Sequence, residues 1–394
     1  MALSTTKILG YADRLSVAPG ERIEFKLSCT QVEHYRLDFV RILCGDPDPR
    51  GPGLRLEQAR SPVDGTYDGR FQPIDAGSYV RIDGEFGLDE GASFTLAAYV
   101  WPTAPGLGRQ TVMGWWSEPE RRGFAVQIDD AGRLRLLLGT DEAESILALD
   151  QALLERQWYF VTASYEANSR TAHISQKCLA EYPGTTGESS ARQSNVRWRA
   201  PATQTPFMIA AHCDSPAGGR WMSGACYNGK VELPIVLGAA LGSERVRTLM
   251  ADPNVANAAD NLLAAWDFSE RIPSATVIDR SPRRAHGRTV NLPARGVTGH
   301  RWDGSTGDWR VAPSHYGAIH FHDDDLHDCG WSSDFALTVP ADWSSGFYAA
   351  RLRAPEAEGY VAFFVRPPRN AAGAPIALVA ATATYMSYAN THIK

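Results

Sequence analysis

Two kinds of apolar pattern run along this chain. From Ile23 to Cys29 (I-E-F-K-L-S-C) and from Tyr35 to Leu43 (Y-R-L-D-F-V-R-I-L), apolar and polar residues alternate. Period two predicts strands with one face buried and one wet. V-A-P-G at 17–20 marks a turn, and G-D-P-D-P-R-G-P-G at 45–53 a loop. These strands are too few to close a sandwich of about seven. Three more strands are predicted much later, at Phe335–Val339, Gly346–Leu352 and Tyr360–Val365. Pairing the two sets gives one discontinuous immunoglobulin-like sandwich with another domain inserted at a loop, where insertion is well tolerated.

The stretch from Ser78 to Phe268 reads as that insertion. S-F-T-L-A-A-Y-V-W-P (93–102), T-V-M-G-W-W (111–116), F-A-V-Q-I (124–128), R-L-R-L-L-L-G (133–139) and Q-W-Y-F-V-T-A-S-Y (157–165) lead a series of strand-like runs. Turn signals separate them, which predicts two antiparallel sheets packed face to face. Only Ala148–Glu155 and Ser243–Asp252 have a helical pattern. The polar stretch from 271 to 329 reads as a connector. The predicted organisation is therefore 1–72 and 330–369 for the sandwich, 73–270 for the insertion, 271–329 for the connector and 370–394 for a final piece.

The other pattern is continuous. A-P-I-A-L-V-A-A-T-A-T-Y-M-S-Y-A-N at 374–390 holds an unbroken small or apolar run from Ile376 to Ala383. Such a run predicts a strand buried on both faces, as in a parallel sheet. Tyr385 and Tyr388 follow at the end where open α/β sheets place their ligand crevice. With Lys394 so close, this reads as the first strand of an incomplete α/β domain.

Composition narrows the function classes. Net charge is −6 and the isoelectric point about 5.9, so no basic field invites nucleic acid or anionic lipid. No apolar run approaches the ~20 residues needed to span a bilayer, and M-A-L-S-T-T-K shows no export signal. The 6 cysteines form no C-x-x-C pair, which favours free thiols in a cytoplasmic protein.

The densest polar cluster lies at His315, His320, His322, Asp323, Asp324, Asp325, His327 and Asp328. Histidine with carboxylate suits Zn²⁺ or non-haem iron, though no fixed metal spacing is present. The plainer reading is an acidic loop that caps its own turns or faces a partner.

The F-T-L-x-A-Y-V-W-P strand, the Q-W-Y-F-V-T-A-S-Y strand and the N-G-K-V stretch before A-L-G-S-E-R-V resemble a laminin-G/concanavalin A-like jelly roll. A carbohydrate-binding module is one function this allows, with Trp101, Trp115, Trp116 and Trp221 stacking on sugars and Asp129/Asp130 holding Ca²⁺. More widely, G-D-P-D-P-R-G-P-G, F-H-D-D-D-L-H-D-C-G-W, S-G-F-Y-A-A-R-L, F-F-V-R-P-P and T-A-T-Y-M-S-Y-A-N occur in one order. Together they resemble the large subunit of the N,N-dimethylformamidase family, here its N-terminal half. That resemblance implies an amidohydrolase that cleaves N,N-dimethylformamide to dimethylamine and formate. It also implies a mononuclear iron (Fe³⁺) held by two tyrosinates and a glutamate, and a small second subunit. Tyr388 in Y-A-N carries over as the first iron ligand, ahead of Tyr385. The other ligands and the acid/base residues would lie beyond Lys394, so the chain is expected to be inactive without that downstream half. The rivals are the carbohydrate binder and a structural assembly platform.

Overall fold

The structure is a computed structural model. It describes residues 7–369 and 375–388, apart from 47, 49, 85–86, 181–186, 203, 218–219 and 259–260. The chain forms two compact units, one made of Met1–Ile74 with Gly330–Lys394 and the other of Asp75–Cys329.

The first unit is a β-sandwich assembled from both ends of the chain. One sheet has Arg22–Cys29 at its centre, flanked by Ile8–Ala12 and Phe335–Thr338, with Phe335 opposite Phe25. The other runs Ser16–Val17, Ala357–Val365, Gly346–Ala354, His34–Cys44 and Arg55–Ala59, with Gly65–Asp68 also on His34–Cys44. Alternation puts Phe25, Phe39, Phe335 and Phe363 between the sheets. Phe25 stacks on Phe335 at 4.9 Å and meets Phe363 edge-on at 5.6 Å. On the outer face Asp38 is held by Arg351, at 2.7 and 2.9 Å, and by Arg353. The discontinuous sandwich predicted from the two strand sets is the observed one.

The second unit is a jelly roll whose two sheets join at their edges into a closed barrel. One sheet is built around Gln110–Ser117, Arg122–Ile128 and Arg133–Gly139. The other runs Glu188–Gln193, Thr171–Cys178, Tyr159–Glu166, Phe94–Pro102, Gly229–Leu237 and Ala318–Phe321. Phe94, Leu96, Ala98 and Val100 point into the barrel. Ala97 and Tyr99, on the outer face, are covered by Leu249 of the helix Ser243–Ala251. This strand is therefore buried on both faces.

Three expectations change. Residues 271–329 are not a connector: Gly287–Val290 pairs with Tyr79–Ile82, and Ala318–Phe321 pairs with Gly229–Leu237. Strands of 4 residues show too few periods to stand out among prolines and arginines. Glu144–Ala152 is a strand on Arg133–Gly139, so pairing overrides the helical pattern of Ala148–Glu155. The run Ile376–Ala383 joins no sheet among the described residues. Residues 377–381 lack regular structure and Thr382–Tyr388 is a helix. Among the described residues its large side chains find nothing to pack on: Ile376 and Leu378 are 86% exposed and Val379 91%. No helix of the described residues is long and apolar enough to cross a membrane.

Candidate functional site

The strand Ala318–Phe321 carries His320 opposite Lys230. Its ring lies 4.2 Å from that of His322, centre to centre, and edge-on to Trp101. Burial, assisted by His322 and Lys230, pushes the His320 pKa down to about 4. The imidazole is therefore neutral at pH 7, and its Nε2 is buried with no partner.

Past this strand the chain turns and grips the start of its own unit. Gly77 N–H donates to the Asp325 carbonyl at 2.8 Å, and Ser78 N–H to that of His322 at 2.9 Å. Ser78 Oγ donates to Asp325 Oδ2 at 2.7 Å, and His322 Nδ1 is 3.3 Å from the same oxygen. Asp323 N–H reaches Asn228 Oδ1, and His327 N–H reaches Asn291 Oδ1. Gly77 has φ +97°, and a Cβ there would stand 2.4 Å from Cys226 Sγ, so the grip requires glycine.

These residues form a clasp. The structure brings together His320, His322 and Asp325 but leaves Asp323, Asp324 and His327 exposed, and turns His315 towards Asp303. Among the described residues no group of three His, Cys, Asp or Glu is arranged to hold a metal ion. The Asp325 carboxylate instead engages Ser78 and His322, and the Asp323 and His327 amides are taken up by Asn228 and Asn291.

Tyr385 and Tyr388 sit three apart on the helix Thr382–Tyr388, with Tyr385 56% exposed. The Tyr388 side chain and Asn390 lie outside the described residues. Two phenols from one short helix would be fewer donors than the about three protein ligands of a catalytic metal.

Three of the residues of the sugar-binding reading, Trp115, Trp116 and Asp129, are otherwise engaged. Trp115 and Trp116 are buried, donating to the Thr205 carbonyl and to Glu118. Asp129 accepts from the Ala131 and Arg133 amides and pairs with the Arg133 guanidinium at 2.8 Å, which occupies its oxygens without Ca²⁺.

One polar network was not anticipated. His212 Nδ1 meets Thr111 Oγ1 at 2.9 Å; Gln127 donates to Thr111 and in turn accepts from Arg135. Burial, only partly offset by Glu118 at 3.6 Å, drives His212 down to about 4. The network links the strand that begins at His212 to three others, through Thr111, Gln127 and Arg135. The signal was available in T-V-M, V-Q-I and L-R-L, where a polar residue interrupts each apolar run.

Comparison with known proteins gives this chain its relatives. Residues 294–392 match the family described as N,N-dimethylformamidase beta subunit-like, C-terminal. The N,N-dimethylformamidase beta subunit of Paracoccus aminophilus is 37% identical over 99% of this chain and 53% of its own length. That of an Alcaligenes species is 36% identical over 98% of this chain and 52% of its own. Among solved structures, a Bacteroides ovatus protein whose name suggests carbohydrate binding aligns over 73% of this chain and 92% of its own, with 13% identity and a TM-score of 0.41. The LG1–3 region of the laminin alpha2 chain covers 42% of this chain and 32% of its own, with 11% identity and a TM-score of 0.33. The chain spans about half the length of the curated relatives it matches. Along essentially all of its own length, this chain is a homologue of the N,N-dimethylformamidase beta subunit.

Proposed function

We propose that this chain is part of an iron-dependent amidohydrolase that hydrolyses N,N-dimethylformamide to dimethylamine and formate. It acts in the cytoplasm, together with further protein of a larger subunit and with a small second subunit. One observation carries the reading: similarity to two such beta subunits runs the whole chain, and the family match extends through the tyrosine helix to residue 392.

In this hydrolysis water adds to the formyl carbon, the C–N bond breaks, and dimethylamine leaves with a proton. Fe³⁺, when bound, supplies a Lewis acid for the formyl oxygen and lowers the pKa of a bound water. Phenolate is a hard anionic oxygen donor suited to that ion. In this reading Tyr388 gives the first donor, with Tyr385 the second choice, and the remaining donors come from the further protein. The two β units act as the scaffold that presents the tyrosine helix. Ile376, Leu378, Val379 and Met386 are exposed apolar side chains close together in sequence, an uncovered stretch of the kind that marks an interaction surface. We assign the further protein as its cover.

The test is reconstitution. Dimethylamine release and iron content are measured for this chain alone, for the remaining polypeptides of the assembly, and for both together. Activity and bound iron are expected only in the combination. Hydrolysis by this chain alone, or full activity without it, contradicts the proposal.

A further inference from the structure

The outer face of the second jelly-roll sheet carries a row of polar side chains that the fold leaves unused. Ser164 stands opposite His173 in the ladder, and His173 opposite Arg192. Ala163, Tyr165, Ala172 and Ile174 lie in the core, so period two sends these three outward. Their neighbours are all engaged. Thr162 bonds Ser175 at 2.7 Å, Thr95 donates to the Ala239 carbonyl at 2.7 Å, and Thr171 to that of Ser169 at 3.1 Å. The side chains of Ser164, His173 and Arg192 have no hydrogen bond or ion pair among the described residues. Ser164 is nevertheless only 7% exposed.

The row lines a pocket of about 330 Å³, closed on its other side by Ala240, Leu241, Gly242 and Ser243. That volume suits a small molecule. Ser243 opens the helix Ser243–Ala251, and no side chain caps it, so first-turn amides are free at the pocket wall. Glu166 stands at the rim. Its Oε1 accepts from Ser93 and from the Asn168 amide, while Oε2 is uncommitted among the described residues. Burial, with the charge of Arg192, holds His173 below the usual histidine range, so its ring is a neutral hydrogen-bonding group there.

We propose that this pocket binds a small organic acid that carries hydroxyl or amino donors. Its carboxylate lies between Arg192 and the helix start, where an unpaired guanidinium and free amides complement an anion. Ser164 donates to the same group. Leu241 packs the body of the ligand, and Glu166 accepts from its hydroxyls or amine. The same carboxylate disfavours a bare polyanion such as phosphate. Nothing in this proposal depends on the amidohydrolase reading.

Calorimetry on the 394-residue chain with glucuronate, acetate and glucose tests it, with the His173 ring resonances as a local readout. Glucuronate is expected to saturate, acetate to bind about tenfold more weakly, and glucose not to bind. Arg192→Ala, an exposed position, should weaken glucuronate about tenfold and Ser164→Ala about threefold, while Arg14→Ala in the other unit changes nothing. The proposal is overturned if no acid saturates below about 50 mM, if Arg192→Ala binds as the parent does, or if glucose matches glucuronate.

Discussion

Two apolar runs of similar composition have opposite fates. Phe94–Pro102 is buried on both faces, between the barrel interior and the helix Ser243–Ala251. Ile376–Ala383 is equally apolar, yet Ile376, Leu378 and Val379 are almost wholly exposed. Hydrophobicity sets how much a run gains from a cover; it does not supply one. In the first run the partner strands Tyr159–Glu166 and Gly229–Leu237 come from the same chain. The second finds no such partner among the described residues.

Putting one substitution into both runs separates them most sharply. Leu96→Asp places an unpaired carboxylate in the barrel beside Phe94 and Phe124, which themselves stack at 4.2 Å. A loss of about 5 kcal/mol or more is expected, enough to unfold the jelly roll in urea titrations. Asp38→Asn tests a carboxylate that does have partners. Burial pushes the Asp38 pKa up, but Arg351 and Arg353 outweigh it and hold the net value below the ordinary range. The stabilisation is therefore present above the unfolded value of about 3.9 and is lost as pH falls through the lower folded value. Asp38→Asn should cost about 3 kcal/mol at pH 7 and progressively less below about pH 4. A cost that stays constant down to pH 2 would sever it from the ion pairs. Val379→Asp is the smallest effect: the midpoint of this chain alone should move by less than about 0.5 kcal/mol. A loss matching Leu96→Asp would mean that the run is covered after all.

Much of the architecture was legible. Period two over Ile23–Cys29 and Tyr35–Leu43, answered by the late strands, was enough to assign both sets to one sandwich, in which the structure sets Phe335 opposite Phe25. What stayed hidden was short or depended on partners. The 4-residue strand Gly287–Val290 offers too few alternations to read. Ala148 looked helical until its pairing with Arg135 decided otherwise. The polar clusters were harder to read. F-H-D-D-D-L-H-D is dense in metal-type ligands, yet its groups bond to one another and to Ser78 and Asn291. Ser164, His173 and Arg192 are scattered in sequence and become neighbours only through register. Residue type gives the chemistry available; lack of a partner is what marks a group as waiting for a ligand, and only the fold shows that.

In the proposed enzyme the tyrosine helix meets a metal in the larger assembly. The direct measurement is the visible spectrum and iron content of the reconstituted complex with Tyr388→Phe beside the parent. The parent should hold iron and show a phenolate-to-Fe³⁺ absorption band, and the variant should lose the band and most of the iron while its β units keep their stability. Full iron occupancy with an unchanged band in Tyr388→Phe would contradict the account.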